Sequence, residues 1–249
     1  MKKRQNIFDN ERFFEGYKKI RQNPYNANVL EEFPAIMSLC PDVNEKAVLD
    51  LGCGYGEKCK RFSEMKARLV IGIDISEKML EIANKENKAA NIKYFNRDMM
   101  TIDALNEKFD VVISSLALHY IDDFKGLISK VYSVLKGDGV FIFSQEHPLT
   151  TAPIKGVNWT KDEHGNILHY NLTDYCRNGE RKVSWLVDGV IKYHRCFSKI
   201  VNELTDAGFV IERMLEPVPP DEVVNKFPSY RKDIDKPNFL IIRARKTLR

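Results

Sequence analysis

The chain has 249 residues, of which 43% are hydrophobic and 30% charged, a composition that excludes collagen-like, low-complexity and disordered classes and suffices for one large α/β core. A balance of 39 basic against 35 acidic residues gives a formal net charge of +4. The excess gathers partly in Arg243, Arg245, Lys246 and Arg249, and reads as a solvated final strand rather than a binding arm.

Residues 10–40 carry two helical patterns, one aligning Phe13, Phe14, Tyr17 and Ile20, the other Val29, Leu30, Phe33, Ile36 and Met37. They precede the first strand, so residues 1–40 are expected to form a helical lid over its end. A regular alternation follows: strand 47–51, helix from about 57, strand 69–74, helix 76–89, strands 92–95 and 109–114, helix 123–135, strand 139–144. Ser76 caps one helix, and Lys136-Gly137 closes another. Alternation of this kind specifies a parallel sheet with helices on both faces. Residues 147–196 break the pattern with Trp, Tyr, Gly and charge, and read as an inserted substrate cap. Helix 198–207, strand 209–215, a link through Pro217, Pro219 and Pro220, and strand 238–245 complete the series. With no long helix between them, the last two strands are expected to pair antiparallel at one edge.

No apolar stretch approaches the roughly 18 residues needed to span a bilayer, and the start MKKRQNIFDNERFF turns charged before a signal-peptide core can form. A cytoplasmic protein without a membrane partner is expected. Cys40, Cys53, Cys59, Cys176 and Cys196 contain no CxxC pair, so neither a zinc site nor a disulfide framework is expected.

Between the first strand and its helix lie Gly52-Cys53-Gly54-Tyr55-Gly56, which let a ligand touch bare backbone at the carboxyl end of a sheet. Dinucleotides and S-adenosylmethionine compete for such a turn. The fingerprint G-x-G-x-x-G would place its third glycine at position 57, which is Glu57, and a carboxylate in the first helical turn opposes a diphosphate. S-adenosylmethionine carries no phosphate and meets no such opposition. Asp74 stands where a carboxylate can accept both ribose hydroxyls, Asp98 near an adenine edge, and Asp50 where it can bond the turn or approach an ammonium group. Each acid alone also fits a capping role; their joint placement favours the sulfonium nucleoside.

The ordered motifs resemble those of the class I methyltransferases, the small-methyltransferase group whose first motif reads like VLDLGCGYG (48–56). GIDIS (72–76) resembles the second-strand acid motif, NRDMM (96–100) the adenine motif, and FDVVISSLALHY (109–120) and LKGDGVFIFS (135–144) the fourth and fifth strands. Asp138 stands where that family commonly has the second glycine of a pair, a variation of the turn. The resemblance implies a Rossmann-like, doubly wound α/β fold with a seven-stranded, mainly parallel sheet of order 3-2-1-4-5-7-6, the last strand antiparallel. It implies S-adenosylmethionine as methyl donor and S-adenosylhomocysteine as product. Gly52, Cys53, Gly54 and Gly56 would then contact the methionine portion, Asp74 the ribose, Ile75 and Met79 an adenine face, and Asp98 with Met99 its edge. Ser115 and Leu116 would line the other side. Tyr17 and Arg21, one helical turn apart, are expected to close over the cofactor, with Arg21 pairing its carboxylate.

Displacement at a sulfonium methyl already has a good leaving group, so the protein supplies alignment, exclusion of water and, for a protic acceptor, a base. His119, after the fourth strand, and His147, after the fifth beside Glu146, lie at the sheet end where ligands bind; these three are the candidate catalytic groups. Trp159, Tyr175, Tyr193 and His194 in the insert are the candidate acceptor-binding residues, while Trp185 reads as the core of a small subdomain. The expected partner is a small-molecule acceptor methylated at oxygen, nitrogen or sulfur. A nucleic-acid or protein acceptor would call for a basic arm or an NPPY-like tetrad, and the chain has neither. A cofactor-binding module without catalysis, or a dinucleotide-dependent dehydrogenase, is the remaining alternative.

Overall fold

Strand β1, Ala47–Leu51, is buried at every position, as an apolar run without alternation requires when both faces of a sheet are covered. The structure, a computed structural model, describes residues 5–155 and 158–247. Residues 1–4 of the expected lid, residues 156–157 of the expected cap and Arg249 of the basic tail lie outside the described residues.

The other strands are β2 (Leu69–Asp74), β3 (Ile92–Asn96), β4 (Phe109–Ser115), β5 (Leu135–Glu146), β6 (Trp159–Lys161), β7 (Ile167–Tyr170), β8 (Gly179–Trp185), β9 (Val187–His194), β10 (Phe209–Leu215) and β11 (Phe239–Lys246). Seven of them form one sheet in the order β10-β11-β5-β4-β1-β2-β3. Strands β1 to β5 are parallel to one another, and β11 runs antiparallel to both β5 and β10. Counting only sheet strands in chain order, this is 3-2-1-4-5-7-6, the order the motifs imply.

Period-two alternation divides the core. Leu49, Leu51, Val112, Phe141, Phe143, Leu240 and Ile242 join one cluster, under helices α5 (Phe124–Val134) and α7 (Phe197–Asp206) as named below. Val48, Val111, Ile113, Val140, Ile142 and Ile241 point to the other. The helices before α5 are α1 (Glu11–Gln22), α2 (Phe33–Ser38), α3 (Glu57–Glu64) and α4 (Glu77–Glu86), and α6 (Pro148–Thr151) precedes α7. Cys59 and Phe62 of α3 and Ile36 of α2 fill the second cluster. Among the described residues, no helix is long and apolar enough to cross a membrane.

Three local features depart from the sequence pattern. Helix α5 stops at Val134 rather than at Lys136-Gly137, because Leu135 is buried and already pairs with Phe109. A register shift follows, absorbed where Asp138 takes a left-handed φ of 60°. The second helical pattern begins as a π-helical turn, Asn28–Glu32, whose wider winding rotates the face: Val29 is exposed, while Glu31 and Glu32 are buried. The stretch 147–196 folds as α6 and two antiparallel hairpins, β6–β7 and β8–β9, neither of which joins the main sheet.

Ahead of α1, the turn Ile7–Asp9 docks on the start of α4. Asp9 accepts hydrogen bonds from Ser76 Oγ at 2.6 Å and from the backbone N–H groups of Lys78 and Glu77 at 3.2 and 3.4 Å. Ser76 in turn accepts from the N–H of Met79 at 3.1 Å, as an N-cap does. Burial raises the Asp9 pKa, but these bonds and one from Asn6 outweigh it and hold the carboxyl below its ordinary value. Asp9→Ala is therefore expected to cost about 1 kcal/mol at neutral pH, with faster amide exchange over residues 6–10. Exchange there as slow as in the parent protein would show that Asp9 does not anchor the segment.

Candidate active site

A cavity of about 340 Å³ opens at the carboxyl ends of β1 to β5, on both sides of the β1–β4 switch in strand order. Gly52, at φ +71°, packs so closely that a Cβ there would lie 2.6 Å from the Ala117 Cβ. Gly54, at φ +54°, is different: a Cβ would meet nothing within 4 Å, so bare backbone faces open space. Its N–H donates to Asp74 Oδ2 at 2.9 Å, and the N–H of Ser76 donates to Oδ1 at 2.9 Å. The N–H of Ile75 also helps to hold this carboxylate.

Asp50, Cys53, Ile75, Met79, Asp98, Met99, Ser115 and Leu116 line the same cavity. Asp98 also accepts from the N–H of Met100 at 2.8 Å, and Leu116 sits at a left-handed φ of 52° while its N–H reaches the Ser144 carbonyl at 3.1 Å. Asp50 is 1% exposed; its Oδ2 accepts from Cys59 Sγ at 3.5 Å, and its Oδ1 has no partner. Burial pushes its pKa up to about 6 against the pull of Lys58.

Tyr17 and Arg21 stand on the cavity wall. Arg21, however, is engaged by the Glu57 carboxylate and Asn28, so an incoming carboxylate would have to displace Glu57. Tyr17 sits edge-on to Phe8 and Trp185, with ring centroids 5.3 and 6.3 Å away.

Of the three candidate catalytic groups, Glu146 and His119 line the cavity and His147 does not. The Nδ1 of His147 accepts from the N–H of Leu149 at 3.1 Å, and its Nε2 meets Glu216 at 2.8 Å. Both nitrogens are thus engaged in holding the chain after β5, and burial lowers the pKa of the ring. His119 is nearly enclosed, and burial depresses its pKa to about 4. Its Nδ1 accepts from the N–H of Glu146 at 3.4 Å, which assigns the proton of the neutral ring to Nε2, a donor rather than a base. Glu146 Oε1 is 2.5 Å from Lys192 Nζ. Burial raises the Glu146 pKa, but His119 and Lys192 outweigh it, and the carboxyl lies below its ordinary value.

Trp159, Tyr175, Tyr193 and His194 are not among the residues that line this cavity. Trp159 packs on Tyr170 across β6–β7, and the Tyr175 hydroxyl accepts from the N–H of Phe197 at 3.1 Å. His194, fully buried, is held between Thr151 Oγ1 at 2.9 Å and the Tyr175 carbonyl at 2.8 Å. Tyr193 precedes it on β9, its carbonyl accepting from Arg195. Trp185, which reads as subdomain core in the sequence, lines the cavity instead.

Sequence reasoning also missed Phe8, Tyr120, Glu32 and Lys192. Glu32 is fully buried; its Oε1 accepts from Ser115 Oγ at 2.7 Å and Ser144 Oγ at 2.5 Å, and its Oε2 from Asn28 at 2.9 Å. The available signal was an acid within an apolar helical pattern. Lys192 lies on alternate positions with Val190 and His194 in β9, the buried side of that strand, and a lysine there calls for a partner.

A methyltransferase domain family matches residues 48–139. An uncharacterised protein of Haemophilus influenzae is 39% identical over 249 residues, covering 96% of each chain. A crystal structure of an S-adenosylmethionine-dependent methyltransferase from Mesorhizobium loti shares 36% identity at a TM-score of 0.79, over 86% of this chain and 97% of that one. A Listeria monocytogenes protein assigned to the same enzymes shares 38% identity at a TM-score of 0.81, over 87% and 97%. Fold, glycine turn and strand-end acids thus define a class I methyltransferase architecture. The chain belongs to the S-adenosylmethionine-dependent methyltransferases.

Asp50 gives this site a pH signature. With its pKa about 6, it is largely neutral at pH 5 and ionised at pH 7, and only the ionised form attracts an ammonium group. Affinity for S-adenosylhomocysteine should therefore rise as pH increases through 6, by about tenfold between pH 5 and 7. Calorimetric titration of Asp50→Asn should show weaker binding without that rise. An unchanged pH profile in the variant would remove Asp50 from the ammonium site.

Proposed function

We propose that the protein transfers the methyl group of S-adenosylmethionine to a small molecule held in the aromatic half of the cavity, and that it works in the reducing cytoplasm, where free cysteines such as its five persist. The observation carrying the small-molecule reading is enclosure. Gln5, Ile7, Phe8 and Tyr17 from the N-terminal segment and Trp185 from the β8–β9 hairpin wall a space otherwise open at the strand ends. An extended groove would suit a macromolecule better.

The residues present fit the cofactor chemically. Asp50 offers an unpartnered carboxylate oxygen to an ammonium group, Gly54 a surface without side chain, and Asp74 two oxygens to vicinal hydroxyls. Met79 and Ile75, with Met99 and Asp98, supply an apolar slot and a polar edge for adenine. When bound, S-adenosylmethionine supplies an electrophilic methyl group. The chain then has to align the acceptor, keep water out and take up a proton. We assign the last task to Glu146, the carboxylate at the aromatic end of the cavity, and give His119 the part of a hydrogen-bond donor. His147 stays outside, as a structural residue. The N-terminal segment and the β8–β9 hairpin act in this reading as lid and cap.

Three measurements bear on this. S-adenosylhomocysteine should bind and NAD should not; the reverse would refute the cofactor reading. Label from methyl-labelled S-adenosylmethionine should enter the low-molecular-mass fraction of a cell extract, and label found only in protein or nucleic acid would exclude a small acceptor. Once an acceptor is in hand, Glu146→Gln should lower kcat by about 100-fold or more, while His147→Gln stays within threefold. Equal losses in the two variants would sink the assignment.

A further inference from the structure

The acceptor half of the cavity has a charge and shape that select among acceptors. Phe8 sits edge-on to Tyr17 and Tyr120, at 5.3 and 5.8 Å, and Tyr17 edge-on to Trp185 at 6.3 Å. These rings give this end of the cavity an aromatic wall, which suits an aromatic acceptor. Its polar end is Glu146 beside His119. Among the described residues, none hydrogen-bonds Glu146 Oε2, while Oε1 is held by Lys192 at 2.5 Å.

The cations that line the cavity stand elsewhere. Arg21 is engaged by Glu57, Lys58 lies 4.0 Å from Glu32, and Arg97 donates to the Thr101 carbonyl at 3.3 Å, at the Asp98 end. Lys192 itself is 7% exposed and sits behind the carboxylate, its ammonium 4.7 Å from the Trp185 ring. Arg195 and Lys236, the other cations near this end, are buried against carbonyl and hydroxyl oxygens and do not line the cavity.

Building on the methyltransferase reading, we infer that the acceptor is an uncharged, planar, protic molecule, a phenol or an aromatic N–H compound, and that the Glu146–Lys192 pair excludes carboxylate and phosphate acceptors. An anionic acceptor would meet the Glu146 charge with no cation on its own side. A protonated amine is drawn to this carboxylate, less than to one without a counter-ion, but it has no free electron pair for attack. A neutral O–H or N–H fits both groups: its hydrogen bonds Glu146 Oε2, and an oxygen or ring-nitrogen lone pair of the acceptor takes the His119 Nε2 proton donor. In the transfer the acceptor's electron pair forms the bond to the methyl carbon and its proton passes to Glu146. The carbon–sulfur pair returns to sulfur, giving S-adenosylhomocysteine. Relatives matching under half of this chain include a malonyl-[acyl-carrier protein] O-methyltransferase, 31% identical over 109 residues. A free carboxylate of that kind is what this end of the cavity disfavours.

Binding tests this without the natural acceptor. The chain has two tryptophans, so Trp159→Phe, outside the cavity, leaves Trp185 as the reporter. This protein, saturated with S-adenosylhomocysteine, is titrated with 4-methylphenol, benzoate and benzylammonium, three probes of similar size. The phenol should bind at least tenfold more tightly than benzoate. Glu146→Gln should bring phenol and benzoate within threefold of each other, and Lys192→Met, which leaves the carboxylate without its counter-ion, should improve benzylammonium at least tenfold relative to the phenol. Benzoate binding as tightly as the phenol in the parent protein, or a phenol-to-benzoate ratio unmoved by Glu146→Gln, overturns the inference. Failure of S-adenosylhomocysteine to bind brings down the cofactor reading and this inference with it. If it binds and the probe ranking fails, only the acceptor class is wrong.

Discussion

One carboxylate at the end of β2 joins the parts of the site. Asp74 accepts the N–H of Gly54 on one oxygen and that of Ser76 on the other, each at 2.9 Å, so the turn after β1 and the start of α4 are fixed to a common point. Ser76 passes the constraint outward to Asp9, and Asp9 to the N-terminal segment that walls the cavity. Burial raises the Asp74 pKa, and the backbone N–H groups oppose the shift without cancelling it. A carboxylate in this position is costly to desolvate, and donors from three peptide groups make it tolerable.

A second buried acid plays a similar part on the other side. The π-helical turn Asn28–Glu32 brings Glu32 to Ser115 and Ser144, at the ends of β4 and β5, with Lys58 of α3 at 4.0 Å. Extra winding in a helix is unfavourable in itself and recurs where a side chain must be aimed. Here it aims two acids inward in succession. Glu31, the neighbour, has its pKa pushed up to about 7 by burial and by the nearby charge of Asp233. The link between β10 and β11, with its short helices Asp221–Lys226 and Lys232–Asp235, thereby carries Asp233 to within electrostatic reach of the same turn.

How much of this could be read in the sequence depended on whether a feature was local. Strands β1 to β5 and their order followed from apolar runs and motif order, and the glycine turn with Asp50, Asp74 and Asp98 followed from spacing, because each sits within a few residues of the strand end that presents it. Histidines could be placed at the right edge but not given roles. Whether His147 or His119 can take a proton depends on Leu149, Glu216 and the backbone of Glu146, partners fixed only by folding. The insert was legible as an insert, yet its aromatic residues were not sorted: Trp159 and Tyr175 satisfy neighbours in their own hairpin and loop, while Trp185, next to the left-handed Leu186 at the hairpin tip, reaches the cavity. Period-two alternation gives two faces for a strand; it does not say which face meets another segment.

The family match divides the lining of the cavity unevenly. The cavity-lining residues from Asp50 through Leu116 fall within the matched stretch 48–139. Phe8 and Tyr17 lie before it, and Glu146, Trp185 and Lys192 after it. Gln5 links these outlying pieces, donating to the Gly189 carbonyl at 3.1 Å and accepting from the N–H of Ile191 at 2.8 Å, so the N-terminal segment and β9 close the cavity together. The same strand carries Lys192 to Glu146. A change in either segment alters the walls it supplies while leaving Asp50, Gly54 and Asp74 in place, so one part of the cavity can vary on a constant strand-end frame.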